Sequence, residues 1–161
     1  MAQETFLKIK KLLDDHHVHY IHYTHEHVRT SQDAASVRET NLDDAAKAII
    51  LKAKNEVGEE IFFQCVIQAS KMIDLKVIKQ MLNVKNAALA SPDEVLEKTG
   101  CTVGSVPPFA NLFGIQVYLE RELLSRDKII FSAGTHTDSI EMSPYDYVKV
   151  VNPIIADFHK S

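Results

Sequence analysis

The 161-residue chain has the length of one ordinary domain, and one domain over residues 1–161 is the expectation. Its 45% hydrophobic and 25% charged residues, with five Gly and five Pro, exclude disordered, collagen-like and mucin-like proteins and supply material for a real core. The net charge of −4, from 18 Lys plus Arg against 22 Asp plus Glu, excludes a protein that grips nucleic acid through a broad phosphate-neutralising surface. A polynucleotide partner would have to be touched locally.

The first helix is predicted from Glu4 to about Asp14, where Phe6, Ile9, Leu12 and Leu13 recur at helical spacing. The N-terminus before it lacks the basic start and apolar run of a signal peptide, which reads as a cytoplasmic protein. Val18 to Tyr23 is rich in β-formers, and Thr30 or Ser31 is placed to cap a short helix through Ala34, Ala35 and Val37. Ala46 to Ala53 reads as a strand buried on both faces. A turn at Asn55 to Gly58 leads into a second strand from Glu60 to Ala69, so the two pair as a hairpin near the sheet centre.

Asp74 caps a helix carrying Leu75, Ile78, Met81 and Leu82, and a short apolar run follows at Ala87 to Ala90. Ser91-Pro92-Asp93-Glu94 combines a Ser cap, Pro at the first helical position and Glu94 placed for a capping box, and Gly100 ends that helix. From Thr99 to Leu119 there is no charge, yet Gly100, Gly104, Pro107, Pro108 and Gly114 forbid a bilayer helix, so no membrane span is expected. An uncharged Gly/Pro stretch is unusual on a surface, and a pocket-lining role is one reading of it. Strands are predicted near Ile115 to Leu119, Lys128 to Ala133 and Ser139 to Met142, and Ser143-Pro144 opens a last helix to about Val151. Strands and helices interleave irregularly without repeats, which predicts an α+β fold with a mixed central sheet and surrounding helices.

Charge is unevenly spread: residues 47–85 carry +3, against −3 before and −4 after them. Lys71, Lys76 and Lys79 on or near one helix could meet a few phosphates or form a solvated face.

Three segments could carry chemistry. Lys47 stands among apolar residues on the side of Ile49 and Leu51, and a buried ammonium must find partners or lose its proton; the alternative is a strand-end lysine snorkelling to water. Gly104-Ser105-Val106-Pro107-Pro108-Phe109 stiffens a loop and offers the Gly104 and Ser105 amides to an oxyanion or small acyl group, unless it is a plain structural turn. The turn Gly134-Thr135-His136-Thr137-Asp138 gathers small hydroxyls and an imidazole, or simply joins two strands.

Six histidines (His16, His17, His19, His22, His25, His27) fall within twelve residues, but no Cys or tight His/Glu spacing completes a metal site, so no metal is expected. Cys65 and Cys101 are too few for a disulfide scaffold, and no base is placed beside Cys101 by the sequence. Rossmann and Walker glycine patterns are absent.

Taken in order, the segments resemble the YbaK/prolyl-tRNA synthetase-associated editing domain family over nearly the whole chain. The resemblance rests on Ala46 to Lys52, on Ser91 to Val95 with Thr99-Gly100, on Gly104 to Phe109, and on Phe131 to Gly134 with Ser139 to Met142. Arg29-Thr30-Ser31 and Val37-Arg38 further resemble the stand-alone members that prefer small hydroxyl-bearing amino acids. Two departures stand out: Ala110 where the family often has Gly, and Glu141 near a position where synthetase-embedded versions carry His.

The resemblance implies an α+β hydrolase without metal or cofactor that deacylates mischarged tRNA in trans. Its partner would be the tRNA acceptor end, with a synthetase as a further partner. Ser, Thr or Ala would be the amino acid removed, ahead of Cys or Pro. The family's lysine maps to Lys47 and its glycine loop to Gly104 through Pro108.

In the expected chemistry, the terminal ribose hydroxyl helps activate water, the Gly104 and Ser105 amides hold the oxyanion, and Lys47 anchors the ribose or phosphate end. Thr30, Ser31, Thr135 and His136 are candidates for a hydrogen bond that separates Ser from Ala, and Val106, Pro107, Pro108, Phe109 and Gly134 for the rest of the binding site. The alternatives are a non-catalytic adaptor that binds an acyl-adenosine or tRNA end, and an esterase using Cys101.

Overall fold

The computed structural model describes residues 2–25 and 41–161. The expected cap at Thr30 or Ser31 and the helix after it lie outside the described residues.

The chain begins with helix α1 (Ala2–Asp15) and strand β1 (Tyr20–Thr24), and after residue 40 continues with β2 (Ala46–Lys54) and β3 (Glu60–Gln68). Asn55 makes the turn between β2 and β3, its side-chain oxygen accepting from the amides of Val57 and Glu59 at 3.1 and 2.9 Å. The hairpin register pairs Ala46 with Gln68 through to Lys54 with Glu60. Helix α2 (Leu75–Leu82) is capped by Asp74, and strand β4 (Ala87–Leu89) returns antiparallel along β2.

Helix α3 (Pro92–Thr99) forms as its end signals predict: Ser91 and Glu94 close a capping box and Gly100 takes a left-handed cap. Strands β5 (Gln116–Glu120), β6 (Ile129–Ser132) and β7 (Asp138–Met142) follow, then α4 (Pro144–Val151) and β8 (Ile154–Ala156). Single 3-10 turns at Ala110–Phe113 and Arg121–Ser125 flank β5.

The expected mixed central sheet is five-stranded, in the order β4-β2-β3-β5-β8, antiparallel on one side of β3 and parallel on the other. The structure adds a second, antiparallel sheet in the order β1-β7-β6. A single parallel bridge between Ala45 and Ile130 joins them, with the Ile130 amide donating to Asp44 at 3.0 Å and Arg126 paired to the Asp44 carboxylate at 2.8 Å.

The central sheet is apolar on both faces because both are covered. One face packs Ala46, Ile50, Val66 and Leu119 into a large core with Ile9 and Leu13 of α1, Phe131, Ile140 and Tyr147. The other packs Leu51, Phe63, Cys65 and Ile67 against Ile78 of α2 and Phe158. Burial on two faces explains why β2 and β3 lack the polar alternation of a half-exposed strand.

Candidate active site

The uncharged segment predicted to line a pocket does so only at its start. After Gly100, a tight turn is closed by the Ser105 amide and hydroxyl, both donating to the Thr102 carbonyl at 3.0 and 2.8 Å. Gly104 inside this turn has φ +92°, a region that side-chain-bearing residues avoid. Its amide meets no acceptor among the described residues.

From Ser105 through Ala110 the chain is buried. Such burial demands partners for its backbone, and Pro107 and Pro108 offer only carbonyls. Gln64 of β3, fully buried, donates to the Pro107 carbonyl at 3.0 Å and accepts from the Ala110 amide at 3.2 Å. The buried Tyr147 hydroxyl donates to the Pro108 carbonyl, and burial raises its pKa well above the ordinary phenol value. Neither residue is marked by the sequence reading, although a lone amide in the apolar run Ile61 to Ile67 is the kind of signal that could have pointed to Gln64.

The glycine loop and the last turn dock together. The Gly134 amide donates to the Ser105 carbonyl at 3.0 Å, and Ser132 Oγ donates to the Gly104 carbonyl at 3.2 Å. Thr102 Oγ1 and His136 Nε2 are 2.6 Å apart, tying the two segments a second time. Gly104, Ser105, Gly134, Thr135 and His136 therefore form one neighbourhood.

Asp138 holds that turn in shape. Its carboxylate accepts from the hydroxyls of Thr135 and Thr137 and is 2.7 Å from His22 Nε2 on β1. Burial pushes its pKa up, but the hydrogen bonds from Thr135 and His22, with the charge interaction with His22, outweigh it and leave the pKa below the usual carboxylate value.

A depressed folded-state pKa contributes stability above the unfolded value of about 3.9, lost as pH falls through the folded value. Asp138→Asn is thus expected to cost about 1–2 kcal/mol at pH 7 in urea unfolding. The gap between variant and parent should close as the pH is lowered below about 4; a gap that stays constant into acid would refute the assignment.

The loop borders an aliphatic cleft of about 220 Å³. Ala48, Ile49 and Ile50 of β2, Leu89 of β4, Ala90, Val95 of α3, and Val103, Gly104 and Val106 form its walls, with no polar side chain among them. Of the expected binding residues, Gly104 and Val106 reach the cleft. Pro107 and Pro108 are buried, and Phe109 packs on Phe131 and Tyr147 with ring centroids 5.5 Å from each, so these three support the loop from within the core. Thr30 and Ser31 lie outside the described residues.

Lys47 is half-buried and has no hydrogen bond or ion pair among the described residues; desolvation alone lowers its pKa. It shares a side of β2 with Ile49 and Leu51 and is not in the cleft wall itself, although Ala48 and Ile49 just after it are. Lys52 behaves oppositely: it is bonded to Glu94 at 3.0 Å, which raises its pKa.

The histidine run is partly absorbed by the fold, His22 on Asp138 and His25 Nε2 at 2.7 Å from Ser139 Oγ. Cys101 is 1% exposed and 3.6 Å from Thr5 Oγ1, and burial raises its pKa, which makes it a packed thiol and not an activated nucleophile.

Fold and site together define a small α+β protein whose glycine loop, braced by a buried amide and a buried phenol, edges an aliphatic cleft of about 220 Å³. The chain belongs to the aminoacyl-tRNA editing domain family, whose model matches residues 25–150. It is 31% identical over 140 residues to the multifunctional Ser/Thr-tRNA deacylase ProXp-y of Escherichia coli (strain K12), covering 86% of this chain and 83% of that one. It is 30% identical over 115 residues to the uncharacterized protein YwhH of Bacillus subtilis (strain 168), covering 71% and 70%.

Among solved structures, the hypothetical protein APE2540 superposes with a TM-score of 0.84 at 26% identity, over 95% of this chain and 99% of that one. A protein proposed as a trans-editing enzyme for prolyl tRNA synthetase superposes with a TM-score of 0.80 at 19% identity, over 98% of each, a likeness of fold. Among the described residues no helix is long and apolar enough to cross a membrane.

Proposed function

We propose that this editing-family protein is a trans-acting deacylase that hydrolyses the ester between a wrongly attached small amino acid, Ser or Thr first, and the 3′-terminal ribose of tRNA. The observation that carries the reading is the Gly104 loop, an amide without an acceptor among the described residues at the rim of a cleft of about 220 Å³, in a chain of this family. The 31% identical relative, a Ser/Thr-tRNA deacylase, supports the choice of amino acid.

In this scheme water adds to the ester carbonyl, with the neighbouring ribose hydroxyl assisting its deprotonation. The tetrahedral oxyanion collapses, the C–O bond to ribose breaks, and the ribose oxygen takes up a proton as the free amino acid leaves. The Gly104 amide would face the developing oxyanion, an interaction of about 3 kcal/mol in a dry site. The Ser105 amide is already used in its turn, so its part is to hold Gly104 in place.

Lys47, half-buried and without an ion pair among the described residues, would meet the phosphate or ribose of the terminal nucleotide. The cleft walls are aliphatic, so they measure size, and recognition of a hydroxyl falls to Thr30, Ser31, Thr135 or His136. Thr135 already donates its proton to Asp138 and can only accept from a substrate hydroxyl. The whole chain would work as one domain, without a cofactor, on tRNA in the cytoplasm, where a synthetase supplies the mischarged substrate.

Release of labelled amino acid from tRNAs carrying Ser, Thr, Ala, Cys and Pro tests the proposal, with Lys47→Ala beside the parent. Release confined to the small hydroxylated residues, and reduced about 100-fold in the variant, is the expected result. Binding of tRNA ends without release from any of the five would instead identify an adaptor.

A further inference from the structure

Two more depressions continue the line of the cleft, and the strand they follow lies at the edge of the sheet formed by the described residues. Among the described residues β4 is the outermost strand of the five-stranded sheet and pairs only with β2. Its end, Leu89 and the following Ala90, lines the aliphatic cleft. Its start, with Asn86, lines a second depression of about 380 Å³ that also holds Lys52 and Lys54. Asn86 and Lys54 are shared with a third, of about 460 Å³, to which Asn83 and Lys85 belong. The segment Asn83 to Ala90 thus runs along all three, up to about 23 Å of chain at ~3.3 Å per residue.

The chemistry changes along this line from aliphatic to polar. Lys54 and Lys85 are exposed, and neither is in an ion pair among the described residues, while Lys52 is neutralised by Glu94. Asn83 and Asn86 present amides beside them. Glu56 and Glu60 are the carboxylates that face the same trough. Two free ammoniums and two carboxamides in a row are suited to ribose and phosphate oxygens, whereas the two glutamates keep the trough from holding polyanions indiscriminately. Such a site agrees with a chain whose net charge is −4 but whose residues 47–85 carry +3.

We propose that this trough along β4 carries the ribose-phosphate backbone of the acceptor end, leading the terminal aminoacyl ester into the aliphatic cleft. The inference rests on the deacylase reading and adds to it a direction of approach and two positioning cations, Lys54 and Lys85. Both are remote from the ester, so they act on capture of the polynucleotide and not on the bond that breaks.

The test compares two substrates, Thr-tRNA and the threonyl ester of adenosine, which lacks the backbone that the trough would hold. Three proteins are assayed: the parent, Lys54→Ala/Lys85→Ala, and a control with the same charge change elsewhere, Lys149→Ala/Lys160→Ala. All four lysines are exposed, so all three proteins should fold, as circular dichroism will show.

With Thr-tRNA, KM of the trough variant is expected to rise about tenfold at unchanged kcat. The slope of log KM against log salt should fall by about 1.4, the value for two single-strand phosphates that the variant no longer neutralises. The adenosine ester should be hydrolysed equally by all three. A trough variant matching the control on Thr-tRNA overturns the proposal while leaving the deacylase reading intact. A parent that hydrolyses neither substrate overturns the deacylase reading itself. A parent dimer that dissociates in the trough variant, without a change in KM, would assign the β4 edge to self-association and also overturn it.

Discussion

Gly104→Ala is expected to lower deacylation by about 100-fold or more while leaving a folded protein. At φ +92° a methyl group strains the backbone by roughly 1–2 kcal/mol, which the chain relieves by rotating the peptide. Such rotation moves a loop amide that has no acceptor among the described residues, and an oxyanion donor displaced by an ångström loses most of its worth. Gly58→Ala supplies the control: Gly58 has φ +82° in the β2–β3 turn, and an added Cβ there meets nothing within 4 Å. The two variants share the strain of a left-handed backbone, yet only Gly104→Ala should lose activity. Equal activity in both would remove the Gly104 amide from the mechanism.

Gln64→Leu should produce the largest loss of stability of any single change near the site, about 2–5 kcal/mol. The substitution keeps the bulk but leaves the Ala110 amide and the Pro107 carbonyl buried and unpaired, each costing about 1–3 kcal/mol. For a chain of this size that corresponds to a fall in Tm of roughly 10 °C. Activity should also fall at temperatures where the variant is folded, because the loop that carries Gly104 loses its brace from β3. A urea midpoint within experimental error of the parent's would show that the loop is held by packing alone.

The two cases differ in how far the sequence foreshadows them. Gly104 could be marked from its own neighbourhood, since a glycine before two prolines already suggests a stiff loop with an accessible amide. Gln64 is read in isolation as one polar residue in an apolar strand, and its partners are 43 and 46 residues away. The same holds for Asp138, whose link to His22 spans 116 residues. Lys47 lies between these cases: its burial follows from the apolar strand around it, but its position beside the cleft wall and not in it needs the assembled sheet.

What the sequence determined by itself is local. The ends of α3 and α4, the Asn55 to Gly58 hairpin turn and the left-handed glycines depend on atoms within about four residues, so residue type alone specifies them. The two-sided burial of β2 was legible for a related reason, because an apolar run without alternation has to be covered on both faces.

The tertiary structure alone decided the division into two sheets joined at Ala45 and Ile130, and the addition of β8 at the sheet edge. It also decided the partners of the buried proline carbonyls and the alignment of three depressions along β4. A three-residue strand such as β8 has too little pattern to announce itself, and it forms because β5 presents an unpaired edge. A buried backbone group must likewise be satisfied by whatever the topology brings within about 3 Å, and that is a property of the packed chain, not of any segment of it.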